Sequence, residues 1–345
     1  MTYRVQIRGL DAEIDVEQGE TILDAALRSG LAFPFGCQSG NCGACKSALL
    51  SGEVELAPYS EFALEEGERA QGLILGCRAM PWSDCEVALL DAEELEVHPS
   101  RVLTCRVAGL DDMTHDIKRV RLEIAVGDSP LVFSAGQYAS VEFPGLPARD
   151  YSMANRPDEP VLEFHIRLVA SGAVTAFVRD RLKLGDTVRV KAPLGTSYWR
   201  RKHAGPILAL AGGSGLAPIK SIVETALAGG ARQPIDFYFG VRAERDLYLE
   251  REFAALAAKH ANLRIIPVLS EPDTGTSRRT GFLVDALRKD LATVDGCKAY
   301  LAGPPVMVES CVKLLVERGM RKSDCHADAF YTEAEKQALA RRTPA

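Results

Sequence analysis

Four cysteines carry the most specific chemistry in this chain. Cys37, Cys42 and Cys45 lie in the stretch Cys-Gln-Ser-Gly-Asn-Cys-Gly-Ala-Cys, and Cys77 follows inside Leu-Gly-Cys-Arg-Ala. The spacing C-x4-C-x2-C with a distant fourth cysteine is that of the four thiolates of a plant-type 2Fe–2S cluster. Three thiolates on one loop can surround two irons only where the backbone curls tightly. Gly36, Gly40 and Gly43 permit that curl and free backbone N–H groups to point at the sulfurs. A zinc site is the competing reading, but zinc ribbons favour two C-x2-C knuckles, and this chain has one such knuckle beside a C-x4-C. The other five cysteines, Cys85, Cys105, Cys297, Cys311 and Cys325, have no partner spacing and read as packed or tolerated thiols.

Two further stretches suit phosphate and ring recognition. Gly212-Gly213-Ser214-Gly215-Leu216-Ala217-Pro218 follows the apolar run Ile207 to Ala211 and precedes a helical pattern near Ile219. A glycine turn between strand and helix lets phosphates approach the backbone, and the helix start supplies partial positive charge. Pro218 suits the first helical turn, where its missing N–H costs nothing. A plain structural turn is the alternative. The second stretch is Arg149-Asp150-Tyr151-Ser152, with Gly172-Ala-Val-Thr175 leading into a helix over residues 176–181. An arginine can pair with a pyrophosphate, a tyrosine can lie against a flat ring, and a serine can bond a ring nitrogen. By residue type alone, a surface arginine beside a core tyrosine is the blander reading. His165 and Arg167, on the strand ahead of the Gly172 turn, and Arg242 join the candidate cofactor-binding set.

Three segments must position these groups. In the first, Tyr3, Val5 and Ile7 alternate with polar residues, as do Ile14 and Val16, which predicts a half-buried hairpin. Thr21 to Ser29 reads as a short helix closed by Gly30. The acidic run from Asp91 to Glu96, ending at His98-Pro99, reads as a linker. The second segment holds alternating runs over 102–107, 118–124, 138–143, 161–168 and 187–190, with turns at Gly127-Asp128, Pro144-Gly145 and Gly185-Asp186. That pattern predicts an antiparallel barrel or sandwich. In the third, apolar strands over 207–211, 235–238, 263–269 and 299–302 alternate with helices near 219–227, 249–260 and 306–318. That alternation predicts a parallel sheet with crossover helices. The expected domains are therefore 1–95, an α+β (β-grasp-like) cysteine module; 100–202, an antiparallel β-barrel; and 203–335, an α/β parallel-sheet domain.

Composition narrows the function classes. Two or three domains are expected from 345 residues, and 47% hydrophobic with 26% charged residues is a globular balance that can fill several cores. Met1-Thr-Tyr-Arg4 leads straight into the alternating strand rather than an apolar signal, and the glycine-broken run 206–219 is too short to span a bilayer. A cytoplasmic protein with no membrane partner is expected. Nine cysteines without a regular framework argue against a secreted disulfide scaffold. The net charge of −6 is uneven: residues 1–97 hold 18 Asp and Glu against 6 Lys and Arg, whereas the rest hold 29 against 35. An acidic module can dock on a basic surface, although a merely solvated acidic face is as good a reading. No basic stripe interleaved with aromatics appears, so nucleic acid is not an expected partner.

Taken in order, the three segments resemble the reductase components of bacterial aromatic ring-hydroxylating oxygenases, of the benzoate and terephthalate dioxygenase kind. The back two-thirds resembles the wider ferredoxin–NADP reductase superfamily, and the resemblance extends to about Tyr331. It implies that Arg149 holds FAD phosphates, Tyr151 packs on the isoalloxazine, Ser152 bonds near flavin N5, and Gly172 to Thr175 make a second pyrophosphate contact. It implies that Gly212, Gly213, Gly215 and Pro218 form the nicotinamide-nucleotide loop, that Gly303 and Pro304 lie beside the nicotinamide, and that Phe330 shields the flavin's other face. Ser152, Tyr151 and Phe330 are thus the residues expected at the reaction centre. Family members usually carry a cysteine where this chain has Ala302.

The resemblance further implies an electron route from NADH to FAD, then to the 2Fe–2S cluster, then to a terminal oxygenase, in a chain that is a monomer when free. The nearest alternative is the same architecture serving a diiron monooxygenase or a deoxysugar dehydratase system. A non-enzymatic electron carrier or structural-metal module is the reading from another class. Hydride transfer to flavin needs no histidine base, so His115, His165 and His326 are expected to be structural rather than catalytic. The acid expected to bond a ribose hydroxyl is Glu244, just past the second strand, where Arg242 and Arg245 can instead greet a 2′-phosphate. NADH is the expected donor because the family mostly uses it.

Overall fold

The computed structural model describes residues 1–340 apart from Asp91, Val97, Asp128, Ala170 and Ser171. The first linker residue and the second residue of the expected Gly127-Asp128 turn therefore lie outside the described residues. The chain divides into two compact units. One comprises Met1–Pro99 with the segment from Tyr331 onward, and the other Ser100–Phe330. The second unit thus ends at Phe330, short of the expected boundary at 335.

In the first unit, β1 (Thr2–Arg8) and β2 (Ala12–Glu17) form the expected antiparallel hairpin, with Val5, Ile7, Ile14 and Val16 buried on one face. Burying side chains of this size contributes about 1.5–3 kcal/mol each. Helix α1 (Ile22–Arg28) starts where the Thr21 hydroxyl accepts the Asp24 N–H at 3.1 Å, capping one of the donors that the first turn leaves unpaired. β3 (Lys46–Ser51), β4 (Val54–Leu56), helix α2 (Glu66–Ala70), β5 (Leu73–Leu75), β6 (Ala79–Pro81) and β7 (Cys85–Leu89) follow. The main sheet runs β2-β1-β7-β3-β5, with β1 and β7 parallel, and β4 pairs β6 separately. A mixed sheet with a helix across it is the β-grasp-like arrangement. The last helix, Glu333–Ala340, belongs to this unit.

The second unit opens with β8 (Arg101–Asp112), β9 (Ile117–Ile124), β10 (Tyr138–Glu142), β11 (Arg149–Ser152) and β12 (Val161–Arg167). Helix α3 (Ala173–Asp180) and β13 (Thr187–Leu194) complete this part. The strand order β11-β10-β13-β8-β9-β12 is antiparallel throughout, and a bridge from Met153 to Phe164 brings its two ends together into a nearly closed barrel. Leu103, Val120, Val141, Phe143, Met153, Phe164 and Val190 fill its interior, as period-2 alternation requires.

From β14 (Ile207–Gly212) the period changes. Helix α4 (Leu216–Ala228), β15 (Ile235–Val241), helix α5 (Glu250–Lys259), β16 (Leu263–Leu269), β17 (Arg279–Thr280) and helix α6 (Leu283–Asp290) alternate. β18 (Lys298–Gly303), helix α7 (Pro305–Glu317) and β19 (Cys325–Ala329) finish the unit. The six strands are parallel in the order β17-β16-β15-β14-β18-β19. Every residue of β14 and of β18 is buried, which suits strands covered by helices on both faces. Strand order reverses between β14 and β18, and in open parallel sheets the crevice beyond the strand ends at such a point is where ligands sit.

Candidate functional site

The cysteine loop lies between α1 and β3 and is stitched to the Cys77 turn by backbone bonds. The Gly76 N–H donates to the Cys45 carbonyl at 2.9 Å, and the Leu23 N–H at the start of α1 donates to the Gly76 carbonyl at 3.0 Å. These bonds bring the fourth cysteine home, and the Sγ atoms of Cys45 and Cys77 lie 3.2 Å apart. Gly40 and Gly43 both hold φ +76°, and a Cβ on Gly43 would meet the Ala63 carbonyl oxygen at 2.9 Å, so neither position tolerates a side chain. Backbone donors turn inward. The N–H groups of Ser39 and Asn41 point at Cys37 Sγ (3.5 and 3.3 Å), that of Cys37 at Cys42 Sγ (3.3 Å), and that of Cys77 at Cys45 Sγ (3.5 Å). The Cys42 sulfur's hydrogen bond holds the Cys37 thiol well below the usual thiol range, and the Cys45 sulfur's hydrogen bond lowers the Cys77 thiol. Three sulfurs on one loop and a fourth on the adjoining Cys77 turn, met by N–H donors rather than by histidine or carboxylate, fit a thiolate-ligated 2Fe–2S cluster.

The second unit brings most of the remaining candidates to the strand ends. β14 and β18 are neighbours, so the turn at Gly212–Gly215 and the segment Gly303-Pro304 face each other. Gly215 is packed on backbone: a Cβ there would lie 2.1 Å from the Ala302 carbonyl oxygen. The Phe330 N–H donates to the Gly303 carbonyl at 2.9 Å, which sets Phe330 beside that segment. Across from it, β11 presents Arg149, Tyr151 and Ser152. The Ser152 hydroxyl donates to the Asp328 carboxylate on β19 at 3.0 Å, tying the barrel strand to the end of the parallel sheet. Burial pushes the Tyr151 phenol up to about 12, against the nearby Arg149 charge, so it stays protonated. Arg149 donates to the carbonyl of its neighbour Ala148, and no carboxylate lies in ion-pair range of it among the described residues. An arginine without an acid partner on the strand that carries Tyr151 and Ser152 fits a flavin pyrophosphate. Arg167 lies against the nucleotide turn, its Nη1 3.6 Å from where a Gly213 Cβ would sit. Asp116 holds both Arg167 (3.1 Å) and Arg242 (3.4 Å).

Several expectations change. His165 does not offer a ring nitrogen to a cofactor: its Nδ1 lies 3.1 Å from the Tyr248 hydroxyl, its Nε2 3.0 Å from Glu163, and its side chain is fully buried. The Thr175 hydroxyl hydrogen is shared between the carbonyls of Val169 and Gly172, so what this turn can offer a phosphate is the backbone N–H groups at the start of α3. Helix α3 begins at Ala173, with Gly172 as its cap, rather than at residue 176. Helix α4 begins at Leu216, which makes Pro218 the third helical residue, still in the turn whose N–H groups have no partner. Pro218 is buried, so its contribution is packing. Glu244 accepts from the Thr276 hydroxyl (2.8 Å) and pairs with Arg278 (2.8 Å), so its carboxylate is engaged inside the protein. Asp328 and Tyr248 were not legible from their neighbours in sequence. A carboxylate two residues ahead of Phe330 was the only local signal for the first.

A barrel beside a parallel nucleotide sheet, with a thiolate loop in a separate unit, defines a flavin- and iron–sulfur-dependent oxidoreductase. Comparison with known proteins agrees segment by segment. The 2Fe-2S iron-sulfur cluster binding domain family matches residues 5–81, the oxidoreductase FAD-binding domain family residues 104–199, and the oxidoreductase NAD-binding domain family residues 209–313. The ferredoxin–NAD(P)+ reductase component of the naphthalene 1,2-dioxygenase/salicylate 5-hydroxylase systems of Ralstonia sp. is 39% identical over 94% of this chain and 98% of its own. The phenol 2-monooxygenase reductase component of Pseudomonas sp. strain CF600 is 36% identical over 97% of this chain and 96% of its own. A crystal structure of an Amycolatopsis cytochrome P450 reductase superposes with a TM-score of 0.77 at 39% identity, covering 95% of this chain and 99% of that one. The chain belongs to the ferredoxin–NAD(P)+ reductase family of oxygenase reductase components, with 2Fe–2S, FAD and NAD as its cofactors. Among the described residues, no helix is long and apolar enough to cross a membrane.

Proposed function

We propose that this reductase passes electrons from NADH through FAD and the 2Fe–2S cluster to a terminal aromatic-ring oxygenase, acting as a cytoplasmic monomer. The functional segments are 1–95, 100–202 and 203–330, the last drawn to where the second unit ends. The observation that carries the reading is the meeting of Gly212–Gly215, Gly303-Pro304, Phe330 and the Ser152–Asp328 pair at one end of the parallel sheet. Bound FAD supplies the change from a two-electron donor to single electrons, and a plant-type cluster relays them near about −400 mV.

The protein's own residues bind and orient. Arg149 and the N–H groups at the start of α3 hold the flavin phosphates. Tyr151, kept protonated by burial, packs on the ring. Ser152 gives its hydrogen to Asp328, so its oxygen stays in one orientation and can accept a hydrogen bond from the flavin. Phe330 keeps water from the exposed ring face. The start of α4 and Arg167 receive the nucleotide phosphates. In the first unit, the inward N–H groups stabilise thiolate charge and tune the potential.

The acceptor is read from the aromatic dioxygenase relatives. Comparable identity to a phenol monooxygenase component and to a cytochrome P450 reductase supports the second reading, a different terminal oxygenase. Reconstitution of the purified reductase with candidate oxygenase components tests this: NADH-driven product formation with an aromatic-ring dioxygenase is expected. Turnover only with a monooxygenase or a P450 would replace the first reading by the second. NADH is the expected donor over NADPH, and a higher kcat/KM with NADPH would overturn that choice.

A further inference from the structure

A buried polar chain joins the barrel to the nucleotide turn. Glu163 and His165 on β12, Lys220 and Glu224 on α4, and Tyr248 after β15 belong to it. Glu163 Oε1 lies 3.0 Å from His165 Nε2, and Lys220 Nζ lies 3.6 Å from the same oxygen while donating to Glu224 at 3.1 Å. At the other end, the Tyr248 hydroxyl is 3.1 Å from His165 Nδ1 and 3.5 Å from the Gly213 carbonyl oxygen. Gly213 is the second residue of the nucleotide turn.

Counting hydrogens gives this chain two states. Burial opposes ionisation of Glu163, but the bond from His165 and the Lys220 charge hold its carboxyl at about 2. An ionised carboxylate demands a hydrogen on His165 Nε2, so a neutral His165 has a bare Nδ1. The Tyr248 phenol, pushed up by burial, keeps its single hydrogen. That hydrogen then faces two acceptors, His165 Nδ1 and the Gly213 carbonyl, and can serve only one of them well. With His165 neutral it goes to the ring, the nearer partner. With His165 protonated, Nδ1–H donates to the phenol oxygen, and the phenol hydrogen is released to the carbonyl.

We propose that His165 and Tyr248 form a proton-gated latch on the nicotinamide-nucleotide turn: protonation of His165 hands the Tyr248 hydrogen to the Gly213 carbonyl and fixes the turn for the nucleotide. The latch rests on the reading of Gly212–Gly215 as the nucleotide turn. The charged groups around it work in both directions. Burial lowers the His165 pKa, Glu163 raises it, and Lys220 and Arg119 on β9 lower it, with a net downward shift. Glu163 and Asp116 are the carboxylates that act on Tyr248. Near neutral pH the ring is therefore uncharged and the latch open. It closes as pH falls through the lowered imidazole range. Linkage requires the converse: if the closed latch favours the nucleotide, nucleotide binding favours the proton. Tyr248 and His165 are thus positioning residues, acting through Gly213.

The test uses the full-length, FAD-loaded protein, mixed rapidly with NADH from about pH 8 to about pH 4.5, a range that runs well below the ordinary imidazole pKa of ~6.5 because His165 is shifted downward. The apparent Kd for NADH and the limiting rate of flavin reduction are read separately. For the unaltered protein, Kd is expected to fall about three- to tenfold toward acid pH, the worth of one net hydrogen bond, with little change in the limiting rate. Tyr248→Phe keeps the ring contacts with His165 and Phe239 and removes only the hydroxyl. Its Kd should stay flat, at the high-pH value. Glu163→Gln removes the charge that supports the imidazolium, so its profile should move to lower pH. A Tyr248→Phe protein that keeps the full slope, or an unaltered protein with none, overturns the latch alone. A protein that retains FAD but whose flavin NADH reduces at no pH overturns the nucleotide-turn reading, and the latch with it.

Discussion

Gly215→Ala tests the nucleotide site by a single methyl group. The added Cβ would lie 2.1 Å from the Ala302 carbonyl oxygen, 2.4 Å from its carbon and 2.8 Å from the Gly303 nitrogen. Ordinary carbon contacts sit at about 3.5–4.0 Å, so the shortfall exceeds an ångström. All three atoms are backbone. Ala302 is fixed in register against Ala211 on one side and Asp328 on the other, so β18 cannot yield cheaply. The start of α4 must move away instead. Overpacking of this kind costs about 1–3 kcal/mol. At ~2–4 °C per kcal/mol for a body of this size, that lowers the Tm of the second unit by roughly 2–12 °C.

The functional loss should be larger, because displacing a positioning element by about 1 Å can cost ~100-fold. We expect kcat/KM for NADH-driven flavin reduction to fall by about 10- to 100-fold, with FAD content and the cluster spectrum unchanged. Gly213→Ala is the internal control. Its Cβ would meet only Arg167 Nη1, at 3.6 Å, so its cost is the left-handed backbone at φ +54°, about 1–2 kcal/mol. Stopped-flow flavin reduction on both variants decides the matter. If Gly215→Ala loses no more activity than Gly213→Ala, the close approach of turn and strand does not govern nucleotide binding.

Other outcomes follow from the same geometry. Cys77→Ser should abolish the iron–sulfur absorption and reduction of a protein acceptor, while NADH still reduces the flavin. Loss of both would show that the two units do not fold independently. Arg149→Ala should weaken FAD retention by about 10- to 100-fold, the value of a charge-assisted hydrogen bond of ~1.5–3 kcal/mol, as measured by flavin release on dilution. Asp324→Asn removes the carboxylate charge 2.7 Å from the nearly buried Lys298 and should cost about 1.5–3 kcal/mol by thermal melting, the value of a charge-assisted hydrogen bond. Burial works against ionisation of Asp324, but Arg321 and Lys298 hold its carboxyl below the usual value. The stabilisation from this depressed pKa is fully present above the unfolded carboxylate value of ~3.9 and is lost as pH falls through the folded one, so the stability gap between the unaltered protein and Asp324→Asn should narrow toward acid pH.

What the sequence showed plainly was what is local. The cysteine spacing, the strand–turn–helix at Gly212 and the alternation of Val5, Ile7, Ile14 and Val16 each depend on residues within one or two elements. β5 and β6 escaped notice because three residues are too few to display a period. Helix α4 was expected to start near Ile219 because Pro218 suggested the first helical position. Proline is equally free of cost at the third, where the N–H also lacks an intrahelical acceptor. His165 reads as a cofactor residue from sequence because only one partner is local: Glu163 lies two residues away on the same strand, but Tyr248, which engages the other ring nitrogen, is 83 residues away. The Ser152–Asp328 bond spans 176 residues and joins two elements that no local pattern relates.

Long-range backbone packing also answers the one departure from the family pattern. Where the resemblance leads one to expect a cysteine, Ala302 is buried in the core beside Ala211 and Tyr300. The features that shape the nucleotide turn run through its main chain: its carbonyl receives Gly215, and the next residue, Gly303, packs on Gly212. A Cβ on Gly303 would meet the Gly212 carbonyl oxygen at 2.8 Å, and the Gly303 carbonyl takes the Phe330 N–H. None of these contacts needs a thiol at position 302, so alanine leaves the turn's shape intact. What alanine does remove is a polarisable side chain, and the polar pair joining barrel and sheet at this end of the site is then Ser152 with Asp328. On the proposed reading, orientation at the reacting face rests on a hydroxyl held by a carboxylate from the last strand, and on glycines that let two backbones touch.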